Sequence, residues 1–320
     1  MTIERHEYQG DDGFTRVVVQ NDVIECEYIP VLGGKMTRLQ DRRTGREWLW
    51  RHPRMPYQQV PSTANYVAVA DTGGWDECFP TVGPCDYPVP PWQGAALADH
   101  GELWCQTPTV TWMVQDDAVV YTCVWEGLNL PYTFMRSIEI GADATIDVSY
   151  RVKNHGDADL HWIWCAHPLV ALQPGMALYT PAGTTFLHTN QQGELVSDAP
   201  ESIVLPDQRV LDLTHLPDVT SAMTAKLYSD VLPSGWVALQ AANGRLTMRW
   251  DSAEIPQLAV FINAGAWSND GQSPNYNMGI EPAIGVYDRL SDAYSRTTTY
   301  ATLPPGQQRS WSVQVQLDAE

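Results

Sequence analysis

Three ionisable side chains stand where the pattern of the chain breaks: His100 in DHGELW, His167 in WCAHPLVAL and Glu281 in MGIEPAIGVYD. Each ends or follows a strand-like segment beside a glycine or proline. Imidazole and carboxyl groups are the usual carriers of general acid–base catalysis, because their surroundings set whether they hold a proton near neutral pH. Each residue also has a plain structural reading. A histidine beside a loop commonly serves as a hydrogen-bonded structural group, and a glutamate at a strand end is commonly solvated. The residue before a proline is biased towards extended backbone, so His167-Pro168 and Glu281-Pro282 also read as simple strand ends.

His100 closes a long stretch, Gly73 to Trp104, that is rich in proline, glycine and aromatic residues. Prolines 80, 84, 88, 90 and 91 argue against a helix or a central strand running through it. Trp75, Phe79, Tyr87, Trp92 and Trp104 supply apolar surface that disordered segments generally lack. The stretch therefore reads as an ordered active-site loop. Within it, Asp76 and Glu77 are either ligand contacts or a loop-bracing pair. As two carboxylates acting across one glycosidic bond they are badly placed, because neighbours on extended backbone point to opposite faces. Trp75, Trp104 and Trp164 are candidate stacking platforms for a flat ligand face, with packing as the alternative.

The elements that must position these groups are strands. Period-two alternation marks FTRVVVQ (14–20), VIECEYI (23–29), TVTWMVQ (109–115), AVVYTCVWE (118–126), YTFMRSIEI (132–140) and TIDVSYRV (145–152). Further strands are expected at 161–166, 224–229, 235–241, 244–250, 258–262, 297–303 and 310–317. No window of ten or more residues carries a helical apolar stripe. The expected fold is all-β, a large sandwich of mostly antiparallel strands in one domain over 1–320, with irregular stretches at 51–107, 168–223 and 263–296 serving as loops.

With 38 acidic and 19 basic side chains the formal net charge is −19, which opposes general binding to nucleic acid or an anionic membrane. Seven of the basic residues fall between Lys35 and Arg54, either as a solvated hairpin turn or as an anion patch. Arg38, alternating with Lys35 and Met36, is the member best placed to face a cleft. Thirteen Trp and fourteen Tyr against five Phe suit surfaces that are half apolar and half wet, such as sugar clefts or sandwich rims. The opening MTIERHEYQGDDG has no signal-peptide core, which sets a cytoplasmic location as the expectation. The six cysteines form no C-x-x-C pair, so reduced thiols are expected, with a role for Cys78, Cys85 and Cys105 beside the loop left open.

The three motifs, in this order and spacing, resemble those of the aldose 1-epimerase (galactose mutarotase-like) superfamily, as a divergent branch. PVLGGKMTRLQDRRTGREWLW is similar to its N-terminal hairpin, RSIEIGADATIDVSYRVKNHGDADLHWIWCAHP to its central strand run and LPPGQQRSWSVQVQL to its closing strand. The resemblance implies a β-supersandwich and a cofactor-free isomerase acting on a sugar, neutral or anionic. It makes Glu281 the general base, His167 the general acid and His100 a hydrogen-bonding partner of the ring or anomeric oxygen. Carboxylate and imidazolium would open the cyclic hemiacetal, let C1–C2 rotate and close the ring on the other face. An aspartate that fixes sugar hydroxyls is also implied, with Asp207, Asp212 and Asp218 as candidates. GGWDECFPT departs from the galactose enzymes, and Asp76 and Glu77 are the residues available to replace hydroxyl contacts. A non-catalytic sugar-binding protein of the same fold is the competing reading.

Overall fold

In the computed structural model, which describes residues 3–115, 117–189, 195–197, 202–205 and 207–319, the alternating segments pair into two large sheets. Of the stretch 168–223, residues 190–194, 198–201 and 206 lie outside the described residues. One sheet has twelve strands. Its six central strands, in chain order, are β1 (Lys35–Asp41), β2 (Gly74–Cys78), β3 (Trp164–Ala171), β4 (Met223–Ser229), β5 (Gln257–Ala264) and β6 (Tyr276–Ile284). They lie side by side as β1-β2-β3-β6-β5-β4. The second sheet has eight strands, with Thr145–Asn154 and Gln308–Asp318 paired antiparallel at its centre.

Burial follows from the layering. Thr145–Asn154 alternates strictly between buried and exposed positions, as expected of a sheet with one wet face. β3, β5 and β6 are buried on both faces, because one face meets the second sheet and the other is covered by loops and lines a cavity. Part of the tryptophan excess forms one buried cluster: Trp311 stacks on Tyr150 at 5.7 Å and on Trp162 at 5.2 Å, and Trp164 meets it edge-on at 5.1 Å.

Several expectations need correction. The stretches 168–223 and 263–296 are not wholly irregular, since they hold Ala177–Tyr179, Phe186–Thr189, Val210–Asp212 and β6, and the strand expected at 297–303 is shortened to Ala301–Leu303 because Ala293–Thr297 forms a helical turn. Residues 161–166 are two strands in different sheets, Leu160–Trp162 against Ala301–Leu303 and then β3. More consequentially, the stretch from Gly73 is not loop throughout: its first residues form β2, a central strand between β1 and β3. The prolines that argued against this begin at Pro80, beyond the strand end. Gly74, at φ 85°, fixes how the strand starts, since a Cβ there would fall 2.5 Å from the Met36 carbonyl oxygen.

Alternation along β2 sends Asp76 and Glu77 to opposite faces. Glu77 enters the layer between the sheets and accepts hydrogen bonds from Trp75 Nε1 (3.1 Å), Tyr150 (3.1 Å), Trp164 Nε1 (3.1 Å) and Arg136 Nη1 (3.3 Å). Burial pushes its carboxyl up to about 7 against the pull of Arg136. Arg136 donates in turn to the Gly34 carbonyl. Removing one partner strands a buried charge, which typically costs about 3–5 kcal/mol. Arg136→Met is expected to lower the unfolding free energy by about that amount in urea titrations, and Arg136→Met with Glu77→Gln to recover part of it. A loss under about 1 kcal/mol for the single variant would show the pair to be dispensable.

Candidate active site

The cavity-facing side of the central strands carries a row of residues set by register. Asp76 lies opposite His167, Glu281 opposite Ala259, and Ala259 opposite Tyr228. Between β3 and β6 the ladder pairs Cys165 with Ala283 and resumes at Leu169 with Gly279. Counting through that gap puts His167 opposite Glu281. Pro168 and Pro282 sit inside the gap and lack the N–H groups a ladder needs, so mid-strand prolines are tolerated here rather than ending the strands.

His167 and Glu281 line a cavity of about 620 Å³, within the size range of small-molecule sites. His100 joins them from the loop, its ring 5.1 Å from that of His167. Its backbone sits at φ 59°, and its Nδ1 lies 2.9 Å from Asp99 Oδ1, which leaves Nε2 as the other polar edge of the ring. The ring stacks on Tyr66 at 4.2 Å. Tyr66 belongs to a short helix, Tyr66–Val69, and donates to Asp76 Oδ2 at 2.7 Å. Lys35 Nζ pairs with the same oxygen at 2.6 Å.

His100, His167 and Glu281, far apart in sequence, thus meet on one cavity. The other candidates do not line it. Asp76 braces Tyr66 from behind, and Glu77 lies on the far face of the sheet. Trp75 is buried and donates to Glu77, while Trp104 donates its Nε1 to the Asp99 and Gly101 carbonyls at 2.9 Å each and so holds the turn that carries His100. Trp164 is core. Arg38 is turned to Glu25 at 2.7 Å and Glu47 at 3.5 Å on the N-terminal hairpin, and its neighbours Arg43 and Arg54 are likewise paired, with Asp41 and Asp270. Asp207 pairs with Arg209, Asp212 bonds Thr214 and His215, and Asp218 caps a short 3-10 turn, all away from the cavity. All six cysteines are free, and no group of metal-binding type occurs among the described residues.

Several cavity residues were not foreseen. Phe261 and Trp267, 6.2 Å apart, form its aromatic wall. Asp71, Asp288 and Asp292 add carboxyls, and Lys226 and Arg289 add cations. Lys226 Nζ lies 2.5 Å from Glu281 Oε2. Burial works against the Lys226 charge, but Glu281 and Asp288 outweigh it and push its pKa up. The segment TAKLYS did carry a signal: period two puts Lys226 on one face with Tyr228, a charge amid aromatic and apolar neighbours. His167 behaves oppositely. Burial first, then the nearby His100 and Lys226, drive its pKa well below the usual imidazole value. These surroundings disfavour the imidazolium expected from sequence and favour a neutral ring.

The fold is that of a galactose mutarotase-like β-sandwich. Among solved structures, the Slr1438 protein of Synechocystis sp. PCC 6803 is similar over 100% of this chain and 98% of its own, at 17% identity and TM-score 0.67. A provisionally named aldose 1-epimerase from Escherichia coli K12 matches over 99% and 100%, at 14% identity and TM-score 0.67. A galactose mutarotase-like protein from Clostridium acetobutylicum matches over 100% and 99%, at 14% identity and TM-score 0.68. No family model and no curated protein sequence matches the chain. Among the described residues no helix is long and apolar enough to cross a membrane.

Long-range ¹H–¹⁵N spectra, with His167→Gln to identify the signals, are expected to show His167 neutral at pH 6. Titration at or above about 6.5 would contradict the burial argument.

Proposed function

We propose that this chain is an aldose 1-epimerase, interconverting the anomers of a sugar by ring opening and closure. The observation that carries the reading is the placement of His167 and Glu281 opposite each other on adjacent strands, with His100 beside them, on one small-molecule cavity. Glu281 is the base that takes the proton from the anomeric hydroxyl as the C1–O5 bond breaks. His167 supplies a proton to O5 through its N–H, and a neutral imidazole is competent as such an electrophile. His100, fixed by Asp99, donates to or accepts from the ring or anomeric oxygen. After rotation about C1–C2 the two proton transfers run backwards on the other face. No step calls for a cofactor.

The cavity wall favours a neutral sugar over a phosphorylated or carboxylated one. Asp71, Asp99, Glu281, Asp288 and Asp292 outnumber Lys226 and Arg289, and an acidic wall repels an anion. Phe261 and Trp267 are the faces on which a sugar ring would stack. The basic hairpin takes no part in this reading, because none of its residues lines the cavity and Arg38, Arg43 and Arg54 are paired with neighbouring carboxylates.

One observation favours non-catalytic sugar binding instead: Glu281 is 0% exposed and bonded to Lys226. Proton NMR exchange over neutral, phosphorylated and acidic aldoses separates the two. The epimerase reading expects accelerated anomer exchange, strongest for neutral aldoses, and a fall of about 10²–10⁴-fold in Glu281→Gln and His167→Ala with the fold intact. Calorimetric binding with exchange no faster than buffer would favour the binding protein. Wild-type rates in both variants would overturn the residue roles.

A further inference from the structure

Glu281 and Lys226 come from strands separated by β5. Across those strands Gly279 lies opposite Phe261 and Phe261 opposite Lys226, one step along from the row that carries Glu281. The Glu281 side chain leans over Gly279: a Cβ built on that glycine would fall 2.4 Å from Oε1. The lean brings Oε2 to 2.5 Å from Lys226 Nζ. Oε1 is buried and has no hydrogen-bond partner among the described residues. The exposed member of the pair is Lys226, with a side chain 15% accessible against 0% for Glu281.

Of the elements packed around the carboxylate, β5 contributes no titratable group, and the others contribute several. These are Lys226 and Tyr228 from β4, His167 and Cys165 from β3, Cys78 from β2, and Asp288 from the segment after β6. Tyr228 donates to Asp288 Oδ1 at 2.5 Å. Lys226 is the cation in contact with Glu281. A carboxylate walled off from water keeps its charge only beside such a partner.

Resting on the reading of Glu281 as the base, we infer that Lys226 is its positioning residue: by holding Oε2 it keeps the buried carboxylate charged and leaves Oε1 as the oxygen that receives the sugar proton. Lys226 therefore acts through Glu281, and Gly279 acts with it by leaving the space into which Oε1 leans.

The sign of the effect follows from the charge. An adjacent cation favours the ionised, proton-accepting form of a carboxyl, so its removal favours the protonated and inactive form. The test is the pH profile of kcat/KM for anomer exchange on α-D-glucose and α-D-galactose, for the wild type, Glu281→Gln, Lys226→Met and Lys226→Gln. The acid limb is expected to move upward by at least about one pH unit in both Lys226 variants, about a tenfold lower rate at a fixed pH on that limb, with a smaller change on the plateau. Lys226→Gln can still donate to Oε2, so it separates charge from contact and decides the matter should Lys226→Met not fold. Folded variants that keep the wild-type acid limb, in an active wild type silenced by Glu281→Gln, would overturn this inference alone. A wild type that exchanges neither sugar would overturn the base reading and this inference with it.

Discussion

Proline has no backbone N–H, and β3 and β6 each place one at the seam they share. Pro168 lies opposite Trp75 on β2, and Pro282 opposite Leu258 on β5, so each strand stays paired on its other side while the seam between them loses its rungs. A proline inside a central strand normally removes a ladder bond at a cost to the sheet. Here the two losses coincide, and the residues before them, His167 and Glu281, face each other across the interruption. The cavity opens over this seam, and the segments at 67–71, 82–84, 99–100 and 287–292 contribute its walls. The placement of His167 and Glu281 thus follows from sheet register, which is stiffer than loop conformation.

Register matters for the same reason in β2. Because side chains alternate, a slip of one residue would exchange Asp76 and Glu77 between the faces. Each is matched to its side. Asp76 meets Lys35 and Tyr66 and so supports the ring of His100, whereas Glu77 meets Arg136, Tyr150 and two tryptophan N–H groups between the sheets. The two carboxylates that looked like a ligand pair in sequence are two braces on opposite sides of one strand. Gly74 holds that arrangement, since the Met36 carbonyl leaves no room for a side chain at the strand start.

Much of the fold was legible because period-two alternation is a local property. Tyr132–Ile140, Gly235–Ala241 and Gly244–Trp250 begin and end where the pattern does. β2 and β6 were hidden because they are buried on both faces, which erases alternation, and because prolines lie in or beside them. In the site, His100, His167 and Glu281 stood out through their flanking glycines and prolines. Asp76, Glu77, Trp75 and Trp104 were proposed for nearness in sequence to His100, yet a strand carries neighbours to different faces and a turn carries them out of line. Lys226, Phe261 and Trp267 were missed because their relation to Glu281 exists only across strands.

The electrostatics of His167 and Lys226 have a common origin. His100, Lys226 and Lys35 all bear on His167, and burial adds its own penalty, so a further positive charge on that ring is disfavoured. Lys226 escapes the same penalty because Glu281 and Asp288 lie against it. The surroundings therefore favour positive charge on the ammonium next to Glu281 and disfavour it on the imidazole opposite. Such a division suits the ring opening proposed above, in which a neutral N–H would face an oxygen that becomes strongly basic only as the C1–O5 bond breaks.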